Sequence, residues 1–154
     1  MARTHNGKQL IVGMGQTGLS CARYCRAQGW PFDACDSRQQ PPHLEQWQAF
    51  TDSQLLLADW STLDMCQYQR ILLSPGVALA TPEIQAAIAA GVEVSSDVQV
   101  FADAVKKPFI AITGSNGKST VTSLVAGLLQ ATGASARAVG NIGIPVLEAL
   151  LESD

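Results

Sequence analysis

The sequence predicts an α/β fold, a parallel sheet with helices on both faces. Three observations predict it. Short apolar segments alternate with segments of helical spacing from residue 8 onward, the pattern that builds β-α-β units. A glycine-rich loop, G-x-G-x-x-G at residues 13–18, separates the first apolar segment from the first helical one. A second glycine loop, ending Gly117-Lys118-Ser119-Thr120, separates a later pair.

Each element has a local reason. Residues 8–13 (KQLIVG) are an apolar run that ends in glycine. Residues 17–28 place Leu19, Ala22, Arg23, Cys25 and Arg26 at helical spacing, and Gly29 stops the helix. Residues 32–35 form a second strand that ends at Asp36. Pro41 and Pro42 open one or two helical turns reaching Phe50, and residues 55–58 are a brief apolar strand. Residues 70–74 (RILLS) are a clearer strand, broken by Pro75-Gly76. Thr81 caps a helix with Pro82 at its first position, which runs to Ala90 and closes at Gly91. Residues 92–95 are strand-like and 97–105 helical.

Lys106-Lys107-Pro108 then reads as a linker, dividing the chain into residues 1–106 and 107–154. Residues 109–113 (FIAIT) predict a strand, 118–131 a helix ended by Gly133, 136–139 a strand, 140–143 a turn and 145–151 a helix. No internal repeat or low-complexity tract interrupts this order.

Composition excludes several classes. The 154 residues are 47% hydrophobic and 15% charged, with mean hydropathy +0.13, unlike a disordered chain. Net charge is −3, and ten scattered basic residues give no nucleic-acid footprint. No apolar run approaches the roughly 18–20 residues of a membrane span. Residues 1–8 lead straight into a strand without the apolar core of a signal peptide. The expectation is a cytoplasmic protein with no membrane or nucleic-acid partner. Cys21, Cys25, Cys35 and Cys66 contain no C-x-x-C pair, and His5 and His43 lack ligand-spaced partners. Cys21 and Cys25, four apart on one helix face, read as two small buried hydrophobes, and the histidines as surface residues. Trp30, Trp47 and Trp60 read as packing residues, as does Met14.

The two loops carry the chemistry. In 13–18 the first glycine permits a tight turn, the second lets a phosphate approach the backbone, and the third lets helix and strand pack closely. Helix N-terminal N–H groups then face the anion. Asp36, 18 residues beyond Gly18 at the next strand end, is placed to accept hydrogen bonds from a nucleoside. This makes residues 1–106 a Rossmann-like domain. Arg38, directly after that strand end, reads as a ligand contact. The second loop, Gly114, Ser115, Asn116, Gly117, Lys118, Ser119 and Thr120, resembles the phosphate loop of P-loop ATPases with shorter glycine spacing. There backbone N–H groups cradle phosphates, Lys118 reaches the β/γ oxygens, and the Ser119 hydroxyl sits on Mg²⁺.

After Thr120 only 34 residues remain, and their carboxylates, Glu148, Glu152 and Asp154, lie in or after a terminal helix. A P-loop ATPase needs further strands and a metal-holding carboxylate at a later strand end. The expectation is an N-terminal piece of a longer enzyme, inactive alone. Two other readings stay open: a nicotinamide-dependent oxidoreductase, which leaves the second loop unexplained, and a non-catalytic nucleotide-binding module.

Two nucleotide loops about 100 residues apart, in this order, resemble the Mur ligases of bacterial cell-wall synthesis. Residues 13–20, Asp36-Ser37-Arg38, residues 74–77 and 140–143 are similar to the branch that adds D-glutamate to UDP-N-acetylmuramoyl-L-alanine. The resemblance implies that residues 1–106 bind the UDP end of that substrate. Gly15, Gln16 and Thr17 would meet the diphosphate, Asp36, Ser37 and Arg38 the uridine with Gly76 nearby, and Asn141 the diphosphate–sugar region. Residues 107–154 would begin the ATP-binding central domain of that family. Lys118 would be the catalytic group, Ser119 a metal contact, and ATP and Mg²⁺ the cofactors. The family reaction proceeds through an acyl phosphate, and its carriers would be monomers. The family often has an apolar residue in place of Gln16 and Thr in place of Ser37. Its metal-binding glutamate and histidine, modified lysine and C-terminal domain have no counterpart in residues 1–154.

Overall fold

Five short strands run parallel in the order β3-β2-β1-β4-β5 in a computed structural model that describes residues 7–50 and 53–152. Residues 1–6 with His5, and Asp154, lie outside the described residues. β1 (Gln9–Val12) is central. The chain steps outward through β2 (Phe32–Asp36) and β3 (Leu55–Leu57), then crosses to β4 (Arg70–Leu73) and β5 (Glu93–Ser95) on the other side. Val12 is paired with Cys35 on one side and Leu73 on the other, so three strands end level with one another. The sheet therefore reverses its winding direction at β1, which is where open α/β sheets hold ligands.

Alternation along the strands builds two cores. Ile11, Ala34 and Leu72 face α1 (Gln16–Ala27), α2 (Leu44–Phe50) and α4 (Asp97–Ala104), with Leu19, Trp47 and Val100 buried among them. Leu10, Val12, Cys35 and Ile71 face α3 (Pro82–Ala89) and a 3-10 turn at Met65–Gln67, with Ile84, Ala87 and Tyr68. Helices on both faces of a parallel sheet match the predicted class. Cys21, Cys25 and Cys35 are free and buried, as expected of small core residues, and burial pushes the Cys25 thiol up to about 12. His43 is exposed.

Local chemistry departs from the sequence reading at one cap and adds another. Thr81 precedes α3, but its hydroxyl donates to the Ala78 carbonyl at 2.6 Å and makes no bond to the helix. α4 starts from Ser96, whose hydroxyl accepts from the Gln99 N–H at 3.2 Å.

Beyond residue 105 the structure corrects two expectations. Residues 109–113 and 136–139 form no strand, and the second stretch contributes only an isolated bridge, Val139 to Ile144. A strand exists by pairing, and among the described residues no strand pairs with 109–113, although Phe109 packs edge-on against Phe101 of α4 at 5.8 Å. Phe109 and Ile110 are exposed, and α5 (Lys118–Ala131), which begins and ends where the sequence placed it, buries none of its residues. α6 (Val146–Leu151) behaves differently. It packs on α1 and α4, and Val146 and Leu147 enter the same core as Ile11 and Trp47. An Arg23–Glu148 ion pair at 2.6 Å closes that contact.

Candidate nucleotide-binding site

The level ends of β2, β1 and β4 bring three sequence-predicted segments to one edge: 13–18, 36–38 and 74–76. Hydrogen bonds join them. Gly13 N–H donates to the Cys35 carbonyl at 2.8 Å, the Ser74 hydroxyl donates to the Gly13 carbonyl at 3.0 Å, and Met14 N–H donates to Asp36 Oδ2 at 2.8 Å.

The glycine pattern follows from space. Gly13 has φ +96°, and a Cβ there would stand 2.8 Å from the Ser74 Cβ. A Cβ on Gly18 would stand 2.0 Å from the Gly13 carbonyl oxygen, so helix and strand touch where only hydrogen fits. Gly15 is the opposite case, with nothing within 4 Å of a Cβ. The loop is closed behind and open in front. α1 begins at Gln16, so the leading N–H groups have no partner within the helix and face that opening.

Asp36 is buried, and four donors occupy its carboxylate. Oδ1 accepts from Arg38 N–H at 3.0 Å and Arg38 Nε at 2.8 Å, while Oδ2 accepts from Met14 N–H at 2.8 Å and Arg38 Nη2 at 2.7 Å. Burial pushes its pKa up, but the hydrogen bonds from Arg38 and Met14 outweigh that and hold the carboxyl below the usual carboxylate range. Asp36 therefore faces outward only through Arg38, whose guanidinium is half exposed. Ser37, Gln16 and Gly76 are exposed, and Thr17 is half-buried.

Trp47 was legible in sequence only as a packing residue. It is fully buried, and its indole Nε1 also donates to the Met14 carbonyl at 3.2 Å. Trp30 lies edge-on to Tyr24 at 5.6 Å, with the Arg70 guanidinium over its ring, and Trp60 packs on the second core.

The second loop lies exposed ahead of α5. Gly114 and Gly117 have φ +146° and +75°. Lys118 Nζ donates to the Gly114 carbonyl and, at 3.2 Å, to the Ser115 carbonyl, so the ammonium bends over its own loop. Ser119 and Thr120 stand in the first turn of α5. Among the described residues no hydrogen bond joins this loop to the first, and none joins Asn141, which is exposed ahead of α6, to either. No group of three or more His, Cys, Asp or Glu among the described residues could hold a metal, and no described helix is long and apolar enough to cross a membrane.

Residues 7–96 match the family model for the Mur ligase MurD-like N-terminal domain. Relatives include the UDP-N-acetylmuramoylalanine–D-glutamate ligase of Marinobacter nauticus, 44% identical over 93% of this chain and 32% of its own length. The ligase of that name from Pasteurella multocida is 45% identical over 94% of this chain and 33% of its own. The chain thus spans about a third of the length of these relatives. Among solved structures, UDP-N-acetylmuramate-alanine ligase MurC from Thermotoga maritima aligns with TM-score 0.55 and 21% identity, covering 82% of this chain and 30% of that one. A pseudomurein peptide ligase type C from Methanothermus fervidus aligns with TM-score 0.52 and 23% identity, covering 83% of this chain and 27% of that one. At those identities the likeness is one of fold.

Proposed function

The chain belongs to the MurD-like N-terminal domain family of the Mur ligases, and from that membership we propose that it is the substrate-binding part, and the start of the ATP-binding part, of a ligase that joins D-glutamate to UDP-N-acetylmuramoyl-L-alanine. Residues 1–106 form the UDP-substrate domain in this reading, and 107–154 open the ATP-binding central domain. The observation that carries it is the stitched edge of β2, β1 and β4, with an anion cradle open at Gly15 beside a half-exposed Arg38.

Each residue has a task in this reading. The N–H groups of Gly15, Gln16 and Thr17 receive the diphosphate, as helix N-termini receive anions. Arg38, oriented by Asp36, lies over the uridine beside Ser37 and Gly76, and Asn141 meets the diphosphate–sugar region. ATP with Mg²⁺ would supply the phosphoryl group that activates the substrate carboxylate as an acyl phosphate for attack by the D-glutamate amine. The second loop fits that cofactor, because the Gly114 and Ser115 carbonyls hold the Lys118 ammonium over its own glycine loop. Residues 114–120 would hold the phosphates, Lys118 would neutralise the transferring group, and the Ser119 hydroxyl would face the metal.

The test is a calorimetric titration of the 154-residue chain with UDP-N-acetylmuramoyl-L-alanine, UDP and NADH in parallel. Binding of the muramoyl nucleotide or UDP without NADH is expected. Binding of NADH alone would replace this reading with that of an oxidoreductase.

A further inference from the structure

The phosphate loop is held by a residue outside its own motif. Met14 lies between the two glycines of the turn, and both peptide groups beside it are fixed from the protein side. In the 13–14 peptide, the N–H goes to Asp36 Oδ2 at 2.8 Å and the carbonyl accepts from the Ser74 hydroxyl at 3.0 Å. In the 14–15 peptide, the carbonyl accepts from Trp47 Nε1 at 3.2 Å. A trans peptide points its N–H opposite its carbonyl. Drawing the Met14 oxygen toward the buried indole therefore turns the Gly15 N–H outward, to the side where a Cβ would meet nothing within 4 Å.

We infer that Trp47 is a positioning residue for anion binding: its indole N–H sets the peptide plane that aims the Gly15 N–H at the diphosphate. The ring also limits the loop sterically, since Cζ2 stands 3.4 Å from where a Gly18 Cβ would be. α2 thereby supports the loop after β1 from the core side. The inference rests on the proposed reading of 13–18 as a diphosphate cradle.

The experiment separates the indole's hydrogen bond from its bulk. Position 47 is substituted by benzothienylalanine, which keeps the bicyclic shape and replaces N–H with sulfur, and in a second variant by Trp47→Phe. UDP and uridine are titrated into each variant and into the unaltered chain, with thermal melting alongside. UDP affinity is expected to fall about 3- to 10-fold in the benzothienyl variant, the loss of one neutral hydrogen bond. The melting temperature should fall modestly, because the buried Met14 carbonyl loses its donor, while uridine affinity holds; UDP weakened against uridine unchanged is a split that a purely structural role would not produce. Trp47→Phe should weaken UDP at least as much and also lower the melting temperature. Equal UDP affinity in the benzothienyl and unaltered chains overturns the inference and leaves the cradle intact. Failure of the unaltered chain to bind UDP overturns both the cradle and the inference built on it.

Discussion

Asp36 grips Arg38 in a two-point contact, Nε to Oδ1 at 2.8 Å and Nη2 to Oδ2 at 2.7 Å, while the same carboxylate holds the Met14 N–H at 2.8 Å. One buried side chain thus links the end of β2 to the loop after β1. The link makes Asp36 a coupler between the two halves of the proposed UDP site.

Replacing that coupler should damage one site and spare the other. Asp36→Ala is expected to weaken UDP-substrate binding roughly tenfold or more, because a charge-assisted pair and a loop contact vanish together. ATP affinity of the complete protein should not change. Titration of both ligands checks this, and an unchanged UDP-substrate affinity would remove Asp36 from the site.

The acid stability of the fold should carry two opposite signatures. Asp36 has a depressed folded pKa, so its contribution is present above the unfolded value of about 3.9 and is lost as pH falls through the folded one. Asp36→Asn should therefore melt several degrees below the unaltered chain at pH 7, with the gap closing in acid. Asp97 is the reverse. Burial raises its pKa, and among the described residues its Oδ1 and the Ser95 hydroxyl are buried without a hydrogen-bond partner. Its penalty is absent below the unfolded value and grows as pH rises through the folded one. Asp97→Asn should raise the melting temperature by a few degrees at pH 7 and by nothing near pH 3. Melting curves across that range read both.

Gly15 and Gly18 lie three positions apart in the same loop, and their substitutions should fail in different ways. Gly18→Ala forces a methyl to within 2.0 Å of the Gly13 carbonyl oxygen, at a cost of about 3 kcal/mol. Gly15→Ala meets no protein atom within 4 Å, so stability should stay within about 0.5 kcal/mol. Its methyl occupies the proposed anion approach, so UDP affinity should drop tenfold or more, about 1.4 kcal/mol. Denaturant titration paired with calorimetry separates the outcomes. Equal UDP affinity in Gly15→Ala would argue against an anion at that face.

Lys118→Ala, made in the complete protein, should reduce turnover by about 10²- to 10³-fold, the scale of removing one charge-stabilising group. UDP-substrate binding should be nearly intact, since no hydrogen bond among the described residues joins the two loops. Steady-state rates and equilibrium titration check this. An equal collapse of both would contradict the separation of the sites.

The glycine loops, the strand ends and the helix starts were legible because each depends on nearby residues. Gly13 needs positive φ, Gly18 needs no side chain, and 118–131 has helical spacing with a glycine stop. What the sequence did not show depended on distant partners. Residues 109–113 have every local mark of a strand, but pairing requires a neighbour the sequence does not name. The burial of Asp36 and the outward reach of Arg38 are set by how β2 ends against β1. Trp47 looked like any core aromatic, because nothing in the spacing of residues 14 and 47 shows that an indole N–H meets a backbone carbonyl. The docking of α6 into the first core, 40 residues beyond the linker, was hidden for the same reason.

That docking has a topological consequence. α4 and α6 touch, so the chain between them leaves the folded body and returns to it, like a handle fixed at both ends. A protease that cut the handle would not release its far side, because Val146, Leu147 and the Arg23–Glu148 pair would still hold α6 in place. The two pieces would migrate together under native conditions and separate only when the body itself is denatured.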